Sequence, residues 1–311
     1  MTETESSALS PATRCGVVAV LGAPNAGKST LVNALVGQKV AITSAKAQTT
    51  RARMLGIALH ELDGAPTQMI LVDTPGIFAP RRRLDRAMVS AAWEGAEAAD
   101  AVLLMVDPIK QRRHELEPLL ETLATRPERK ILVLNKVDRA KKEPLLVLAQ
   151  ELTGKVDFSE VFFISALTGE GVPELKDNLA KLMPEGDWMY PEDQVSDASE
   201  RLLAAEITRE QLYQQLHEEL PYDSAVRPEK YEVRPDGSVE IHQQIVVTRD
   251  NQRAIVLGKG GSKIKAIGAA ARAELMEVLG VKVHLYLHVK VLENWAEDKE
   301  VFEEIGLDWV R

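Results

Sequence analysis

The chain has 311 residues, of which 45% are hydrophobic and 27% are charged, and its formal net charge is −9. This length and composition fit a soluble protein with about two separate cores, and the acidic balance excludes a uniformly basic nucleic-acid binder. The single cysteine, Cys15, excludes an internal disulfide and any multi-cysteine metal site, so we expect a reducing compartment.

Two stretches bear on targeting. Residues 1–14 are polar and acidic and lack an apolar core, so they predict a disordered tail without a signal peptide, and the cytoplasm as the starting compartment. The apolar stretch 87–106 is interrupted by Glu94, Glu97 and Asp100, which predicts that it does not span a membrane.

The order of predicted elements divides the chain into two folded units. In residues 15–185, short apolar runs (VVAVL, MILVD, AVLLMVD, KILVLNK, VFFIS) alternate with segments of helical spacing, which predicts an α/β domain with a mostly parallel sheet and helices on both faces. Residues 186–200 read as a linker. Residues 201–293 predict a helix followed by a smaller α+β unit, and residues 294–311 an acidic, partly helical tail.

The first motif, GAPNAGKST, lies between the strand VVAVL and the helical pattern LVNALVG. It fits a phosphate-binding loop, because glycines let backbone N–H groups face phosphates while the following helix N-terminus adds positive potential. Lys28 would neutralise the outer phosphates and Ser29 would reach Mg²⁺. The predicted contacts are Gly22, Ala23, Pro24, Asn25, Ala26, Gly27, Lys28, Ser29 and Thr30.

Three later motifs follow strands in the order that a guanine-nucleotide site needs. In DTPG, formed by Asp73, Thr74, Pro75 and Gly76, the aspartate can hold Mg²⁺ and the glycine N–H can sense a third phosphate. In NKVD, Asn135 and Lys136 precede Asp138, whose carboxylate can accept both guanine N1–H and N2–H₂. In SAL, formed by Ser165, Ala166 and Leu167, the Ala166 N–H could meet guanine O6. Together these motifs predict a GTP site.

The chain at this point resembles the translation-factor-like GTPases, and within them the Era family. The segment KAQTTRAR is similar to that family's switch I, which implies Thr50 as a Mg²⁺ ligand with Ser29 and Asp73, and leaves Thr49 as the alternative. Ile77 stands where Ras-like enzymes carry a glutamine that orients the attacking water, so we expect slow intrinsic hydrolysis. The residues predicted to act in hydrolysis are Asn25, Lys28, Thr50 and Gly76.

Asn25 has two open interpretations. It matches the asparagine that coordinates K⁺ beside the phosphates in potassium-activated relatives, and it could instead only shape the loop.

The second unit contains its own glycine loop, in the string AIVLGKGGSKIKAIG. A GxxG loop between two helices, in a strand-strand-helix-loop-helix-strand order, predicts a KH domain of the second type that binds single-stranded RNA. Residues 225–292 carry 11 Lys and Arg against 7 Asp and Glu, which favours a polyanion partner. The predicted RNA contacts are Arg253, Gly258, Lys259, Gly260, Gly261, Lys263 and Lys265.

A GTPase domain followed by this KH unit is similar to the layout of the Era family over nearly the whole chain. That resemblance implies binding of the 3′ end of small-subunit (16S) ribosomal RNA, a role in its processing and in assembly of the small (30S) subunit, and a link to cell growth and the cell cycle. It also implies a cytoplasmic monomer with a fraction peripherally associated with the inner membrane. The chain departs from the family in Pro228, which should make the first KH strand an edge strand.

Two other classes of function stay open on the residues alone. In one, the chain is a constitutive RNA-binding module that GTP merely stabilises. In the other, it is a membrane-linked signalling GTPase whose KH-like unit binds protein. An RNA-modifying enzyme lacks support, because the sequence shows no cysteine nucleophile or metal cluster in the second unit.

Overall fold

The computed structural model describes residues 12–44, 46, 49–80, 82–97, 99–110, 113–216, 220 and 222–310. Residues 1–11 of the predicted tail lie outside this range. The elements in chain order are β1 Arg14–Gly22, α1 Lys28–Val36, β2 Met54–Leu62, β3 Ala65–Asp73, α2 Arg83–Glu97, β4 Ala101–Val106, α3 Arg113–Ala124, β5 Arg129–Leu134, α4 Lys142–Thr153, β6 Glu160–Phe163, α5 Val172–Leu182, α6 Glu200–Gln215, β7 Ser224–Val233, β8 Val239–Val247, α7 Asp250–Leu257, α8 Ser262–Leu279, β9 Val283–Val291 and α9 Lys299–Glu304.

The first domain is built on a sheet whose strand order is β2-β3-β1-β4-β5-β6. Strand β2 runs antiparallel to β3, and the other neighbours are parallel. Apolar clusters on the two faces hold α1 and α5 on one side and α3 and α4 on the other. The predicted α/β fold with helices on both faces is confirmed. Because parallel strands share one carboxyl edge, the loops after β1, β3, β5 and β6 meet there.

The segment predicted as a linker is bound to the first domain. The Ile57 N–H donates to the Val195 carbonyl at 2.8 Å, so residues near 195 continue the pairing beyond β2. The buried Gln68 side chain accepts from the N–H groups of Met189 and Tyr190, both at 3.0 Å. These hydrogen bonds fix the path of the chain toward α6.

The second unit has the strand order β7-β8-β9, with β7 antiparallel and β9 parallel to β8. Helices α6, α7 and α8 pack on one face of it, which confirms the predicted α+β KH fold. Strand β7 lies at the edge and its register shifts between Pro228 and Lys230, as the missing N–H of a proline requires. Helix α6 begins after Ser199, whose hydroxyl accepts from the Leu202 N–H.

Residues 295–310 belong to the segment that the sequence predicts as an acidic, partly helical tail, and they pack against the rest of the protein. Trp295, Val301 and Phe302 are buried against Leu84 and Met88 of α2, in a cluster that also includes Val246 of β8. The buried apolar residues recur at irregular intervals among acidic ones, so the sequence shows no helical or strand period that would predict their burial. The segment therefore packs between the two domains.

None of the helices in the part of the chain that the structure describes is long and apolar enough to cross a membrane.

Candidate nucleotide site and glycine loop

The loop between β1 and α1 has the backbone that a phosphate-binding loop requires. Gly22 and Gly27 have φ of 149° and 101°, and Asn25 has φ of 64°. Glycine adopts such values without strain, and asparagine tolerates them better than most residues. Gly27 is also the N-cap of α1, so the first N–H groups of that helix face the loop. The arrangement is a preformed anion site.

Lys28 is buried within this loop, with 6% of its surface exposed. Its ammonium donates to the carbonyls of Gly22 at 3.2 Å and Ala23 at 3.0 Å. Burial lowers the pKa of Lys28 to about 8, although the nearby Asp73 carboxylate opposes that shift. The charge is thus held at an energetic cost that phosphate oxygens would relieve.

Three oxygens predicted to hold Mg²⁺ converge beside Lys28. The Ser29 hydroxyl lies 2.7 Å from Asp73 Oδ2 and 2.9 Å from Thr50 Oγ1, and Thr50 Oγ1 lies 3.1 Å from the same carboxylate oxygen. The other oxygen, Asp73 Oδ1, is buried without a hydrogen-bond partner. Burial raises the pKa of Asp73 while Lys28 lowers it. A hard cation that prefers oxygen ligands fits this set.

The hydrogen bonds of Thr49 and Thr50 distinguish the two candidate threonines. Thr50 is 7% exposed and reaches Ser29 and Asp73, whereas the Thr49 hydroxyl donates to the Lys46 carbonyl at 2.7 Å. Of the two threonines, only Thr50 is therefore brought to the predicted metal ligands Ser29 and Asp73. Residues 37–53, between α1 and β2, are called the switch I segment below.

An open groove lies between the phosphate-binding loop and the switch I segment. Gly76 closes one side of it, and a Cβ added there would lie 2.7 Å from Pro24 N, so the chain passes too closely for any side chain. The Ile77 N–H donates to the Gly22 carbonyl at 3.0 Å, and its side chain packs against an apolar cluster. The lining residues are Pro24, Asn25, Gly27, Lys28, Ser29, Thr30, Ile42, Thr43, Ser44, Thr49, Thr50 and Gly76.

The NKVD motif is tied to the phosphate-binding loop. The buried Asn135 amide donates to the Ala26 carbonyl at 2.8 Å. Lys136 donates to the Asn25 carbonyl and to Asp107 Oδ2, each at 2.7 Å. Burial raises the pKa of Asp107, but the Lys136 hydrogen bond and backbone N–H groups lower it further, so the net shift is downward. These hydrogen bonds hold the NKVD loop at a fixed distance from the phosphate-binding loop. Asp107 belongs to none of the recognised motifs, so its contact with Lys136 could not be predicted from the sequence.

The SAL motif is linked to NKVD. The Ala166 N–H, which the sequence predicts to meet guanine O6, donates to Asn135 Oδ1 at 2.9 Å in this structure, and the contact with O6 stays a prediction. The Asn135 amide bridges two loops and takes up this donor. Ser165 is fully buried, whereas Leu167 is 81% exposed and Asp138 is also exposed, so these last two side chains are free to meet a base.

We predict that Asp138→Asn changes the base that the site accepts. The carboxylate accepts two guanine donors, whereas an amide presents one acceptor and one donor and fits the C2 carbonyl of xanthine. GTP affinity should fall by about 100-fold or more, and xanthosine triphosphate should gain affinity. Competition binding with GTP and xanthosine triphosphate measures this change in nucleotide preference. Asp157→Asn, another exposed carboxylate of this domain, is the matched control and should leave both affinities unchanged.

The glycine loop of the second unit joins α7 to α8. Gly258, Gly260 and Gly261 all have positive φ, of 69°, 61° and 78°. A Cβ at Gly260 or Gly261 would meet nothing within 4 Å, so both face open space, whereas one at Gly258 would lie 2.7 Å from Lys263 Cβ. The loop therefore exposes backbone that a nucleic-acid strand could approach closely.

The basic residues predicted around this loop fall into two groups. Arg253, Lys259 and Lys265 are exposed. Lys263 is half-buried, and its ammonium lies 3.4 Å from the Gln215 carbonyl of α6. Lys263 thus connects the loop to α6 as well as adding positive charge.

Two functional candidates were missed by sequence reasoning. Arg51 and Arg209 are each only 2% exposed and lie where the two domains meet. Arginine is almost never fully buried unless it is paired, so no pattern in the sequence predicts such a position.

The fold and both sites define a P-loop GTPase that carries a C-terminal KH domain. Family models agree: residues 17–136 match the 50S ribosome-binding GTPase family and residues 219–296 match the KH domain. GTPase Era of Erythrobacter litoralis is 84% identical over 96% of this chain and 98% of its own length. GTPase Era of Bradyrhizobium diazoefficiens is 55% identical over 96% of each chain. The chain belongs to the Era family of GTPases.

Two solved structures are also similar. A crystal structure of Era in complex with MgGDPNP and nucleotides 1506–1542 of 16S ribosomal RNA has a TM-score of 0.88 and 37% identity, covering 94% of this chain and 99% of that one. An Aquifex aeolicus Era variant bound to GDP and aluminium fluoride has the same TM-score of 0.88, identity of 37% and coverage of 94% and 99%.

Proposed function

We propose that the chain is a GTP-controlled switch that binds the 3′ end of 16S ribosomal RNA through its KH unit and assists processing of that RNA and assembly of the small ribosomal subunit. The observation that carries the proposal is that one helix, α6, contacts both sites. Glu210 of α6 accepts from the Thr43 N–H in the switch I segment, and the Gln215 carbonyl of the same helix accepts from Lys263 next to the glycine loop. A change at one site can therefore reach the other.

In this proposal, GTP and Mg²⁺ bind between the phosphate-binding loop and the switch I segment. Ser29, Thr50 and Asp73 hold the metal, which neutralises charge on the phosphate oxygens. Lys28 and the N–H groups at the start of α1 bind the phosphates, and the Gly76 N–H meets the third one. Asp138 selects guanine. Without a glutamine at Ile77, unassisted hydrolysis is slow.

The test is a titration of labelled RNA matching the 3′ end of 16S ribosomal RNA against protein loaded with a non-hydrolysable GTP analogue or with GDP. The affinity should differ between the two states, and a scrambled RNA should bind weakly in both. Because binding linkage is reciprocal, the RNA should change the relative affinity of the two nucleotides by the same factor. Two salt concentrations separate phosphate contacts from base contacts. Equal affinity in both states would contradict the switch.

We also propose that Asn25 holds K⁺ beside the phosphates. The left-handed φ of 64° at Asn25 is equally what a purely loop-shaping residue would need, so the substitution Asn25→Gly separates the two roles. Glycine can keep the backbone conformation while it removes the whole side chain, including the amide oxygen that would hold K⁺. If K⁺ binds there, exchanging Na⁺ for K⁺ should raise wild-type turnover roughly tenfold and leave the variant unaffected. Equal turnover of the wild type in both salts would exclude the cation.

For cellular context, we propose a cytoplasmic monomer with a fraction held peripherally at the inner membrane, acting where subunit assembly is coupled to cell growth and the cell cycle. The family resemblance supports this part of the proposal. Cell fractionation followed by immunoblotting tests the location, and light scattering of the purified chain tests the monomer.

A further inference from the structure

Helix α6, although it belongs to the second unit, lies along the switch I segment. Glu210 accepts from the Thr43 N–H at 3.0 Å and from its hydroxyl at 3.2 Å, and it pairs with Lys39. Further along, the Leu216 carbonyl accepts from Lys46. The switch I segment is therefore supported by the second unit over most of its described length.

Arg209 of α6 contacts the residue that precedes Thr50. Its guanidinium donates to the backbone carbonyl of Thr49, the residue directly before Thr50, and pairs with Glu206 one turn earlier on α6. The guanidinium also lies over the Tyr213 ring, 5.1 Å from its centroid. These partners hold a planar fork in one orientation, which a flexible ammonium would not do.

A second anchor lies on the other side of Thr50. The Arg51 side chain enters the second unit, where it donates to the Ser224 carbonyl at 2.8 Å and to the Tyr213 hydroxyl at 3.2 Å. It also lies 5.6 Å from the centroid of the Trp295 ring. Thr50 thus lies between Thr49 and Arg51, which are both held by hydrogen bonds to the second unit.

Burying two guanidinium groups costs free energy, so it is an unfavourable way merely to hold two domains together. Arg51 and Arg209 are both almost fully buried and both contact Tyr213. Burial lowers the pKa of Arg51, and the nearby charge of Arg209 lowers it as well. Burial also disfavours the charge on Arg209, but pairing with Glu206 raises its pKa overall. Well-packed apolar side chains would hold two surfaces together at least as well. What a guanidinium adds is the ability to fix a carbonyl oxygen at a set position, and the carbonyl fixed here adjoins a predicted metal ligand.

We propose that Arg209 is a positioning residue for Thr50, so that the second unit supplies part of the selectivity for GTP over GDP. This inference rests on the proposed role of Thr50 as a metal ligand that engages when the third phosphate is present. When Arg209 holds the Thr49 carbonyl, the Thr50 hydroxyl stays at the metal ligands. When it is lost, the nucleotide must hold Thr49 and Thr50 in place without this contact, which weakens the binding of GTP but not of GDP.

The test measures dissociation constants for a non-hydrolysable GTP analogue and for GDP by calorimetry with Mg²⁺ in the full chain. Arg209→Gln should weaken binding of the analogue by about tenfold and leave GDP within about twofold. Equal weakening of both nucleotides, or no change in a folded protein, would overturn the proposal. If Arg209→Gln does not fold, Arg209→Lys keeps the charge beside Glu206 and should show a smaller loss of the same selectivity; an unchanged ratio in that variant would be equally decisive.

A double-mutant cycle separates positioning from mere structural support. If Arg209 acts through Thr50, then adding Arg209→Gln to Thr50→Ala should cause no further loss of GTP selectivity, whereas independent effects would add. Additive losses would refute the proposed path. If Thr50→Ala itself leaves the selectivity intact, the proposed metal role of Thr50 fails, which is a distinct result.

The matched control is Arg201→Gln on the same helix. Arg201 is exposed and donates to the Pro228 carbonyl of β7 at 2.5 Å, a hydrogen bond within the second unit. Both nucleotide affinities should remain at the wild-type values in this variant.

Discussion

Replacing Lys28 with methionine should make the nucleotide-free protein more stable while abolishing its function. The buried ammonium has its pKa lowered from 10.5 to about 8, mainly by loss of solvation. That shift corresponds to roughly 3 kcal/mol of unfavourable free energy in the charged form. Methionine removes this cost but leaves the carbonyls of Gly22 and Ala23 without their donor, so we expect a net gain of about 1 to 2 kcal/mol in Lys28→Met.

The same variant should lose phosphate binding, because Lys28 is the one basic residue among the described residues that line the groove. We expect GTP turnover and GTP affinity each to fall by about 100-fold or more. Urea unfolding without nucleotide and single-turnover hydrolysis measure the two effects. Lys142→Met, an exposed lysine in the first turn of α4, is the control and should change neither. A variant that is both less stable and still active would contradict the role of Lys28.

The lowered pKa of Lys28 also predicts how the free energy of unfolding depends on pH. The folded state releases the Lys28 proton near pH 8 and the unfolded chain near 10.5, so the unfolded chain binds more protons between these values. The free energy of unfolding contributed by this group therefore rises with pH across that window. Other groups titrate there too, so the quantity to compare is the difference between wild type and Lys28→Met, which should shrink as pH rises from 8 to 10.

The second large effect is expected at the glycine loop. Gly260→Asp should lower RNA affinity by about 100-fold, because a carboxylate would face the phosphates at a point where the backbone of the strand must come close. Folding should be little affected, since Gly260 has open space around it and aspartate tolerates the left-handed conformation. Nucleotide affinity without RNA should stay the same.

Gly237→Asp provides a closely matched control. Gly237 also has a positive φ, of 78°, and open space within 4 Å, but it lies in the turn between β7 and β8. The two variants add the same charge to the same unit in the same backbone conformation. If both weaken RNA binding equally, the loss reflects net charge and the glycine loop has no special role.

Much of the nucleotide site could be predicted, because each motif follows a strand and parallel strands bring their carboxyl ends together. GAPNAGKST, DTPG and NKVD lie at one edge of the sheet for that reason. The hydrogen bond from the Ala166 N–H to Asn135 was not predicted, because Asn135 comes from another motif and a different strand. The choice of hydrogen-bond partner depends on differences of a few tenths of an ångström between atoms. The spacing of motifs along the sequence does not specify such distances.

By itself, the sequence determined the class of nucleotide, the two domains and the presence of an RNA-binding loop, since those depend on local backbone conformation, strand order and glycines at fixed spacing. Only the tertiary structure decided that Thr50, and not Thr49, reaches Ser29 and Asp73, the predicted metal ligands, and that residues 295–310 are packed between the domains. It also placed Arg51 and Arg209 on either side of Thr50. These contacts join residues about 160 positions apart through the packing of two separately patterned units, and periodicity within each unit carries no information about how their surfaces meet.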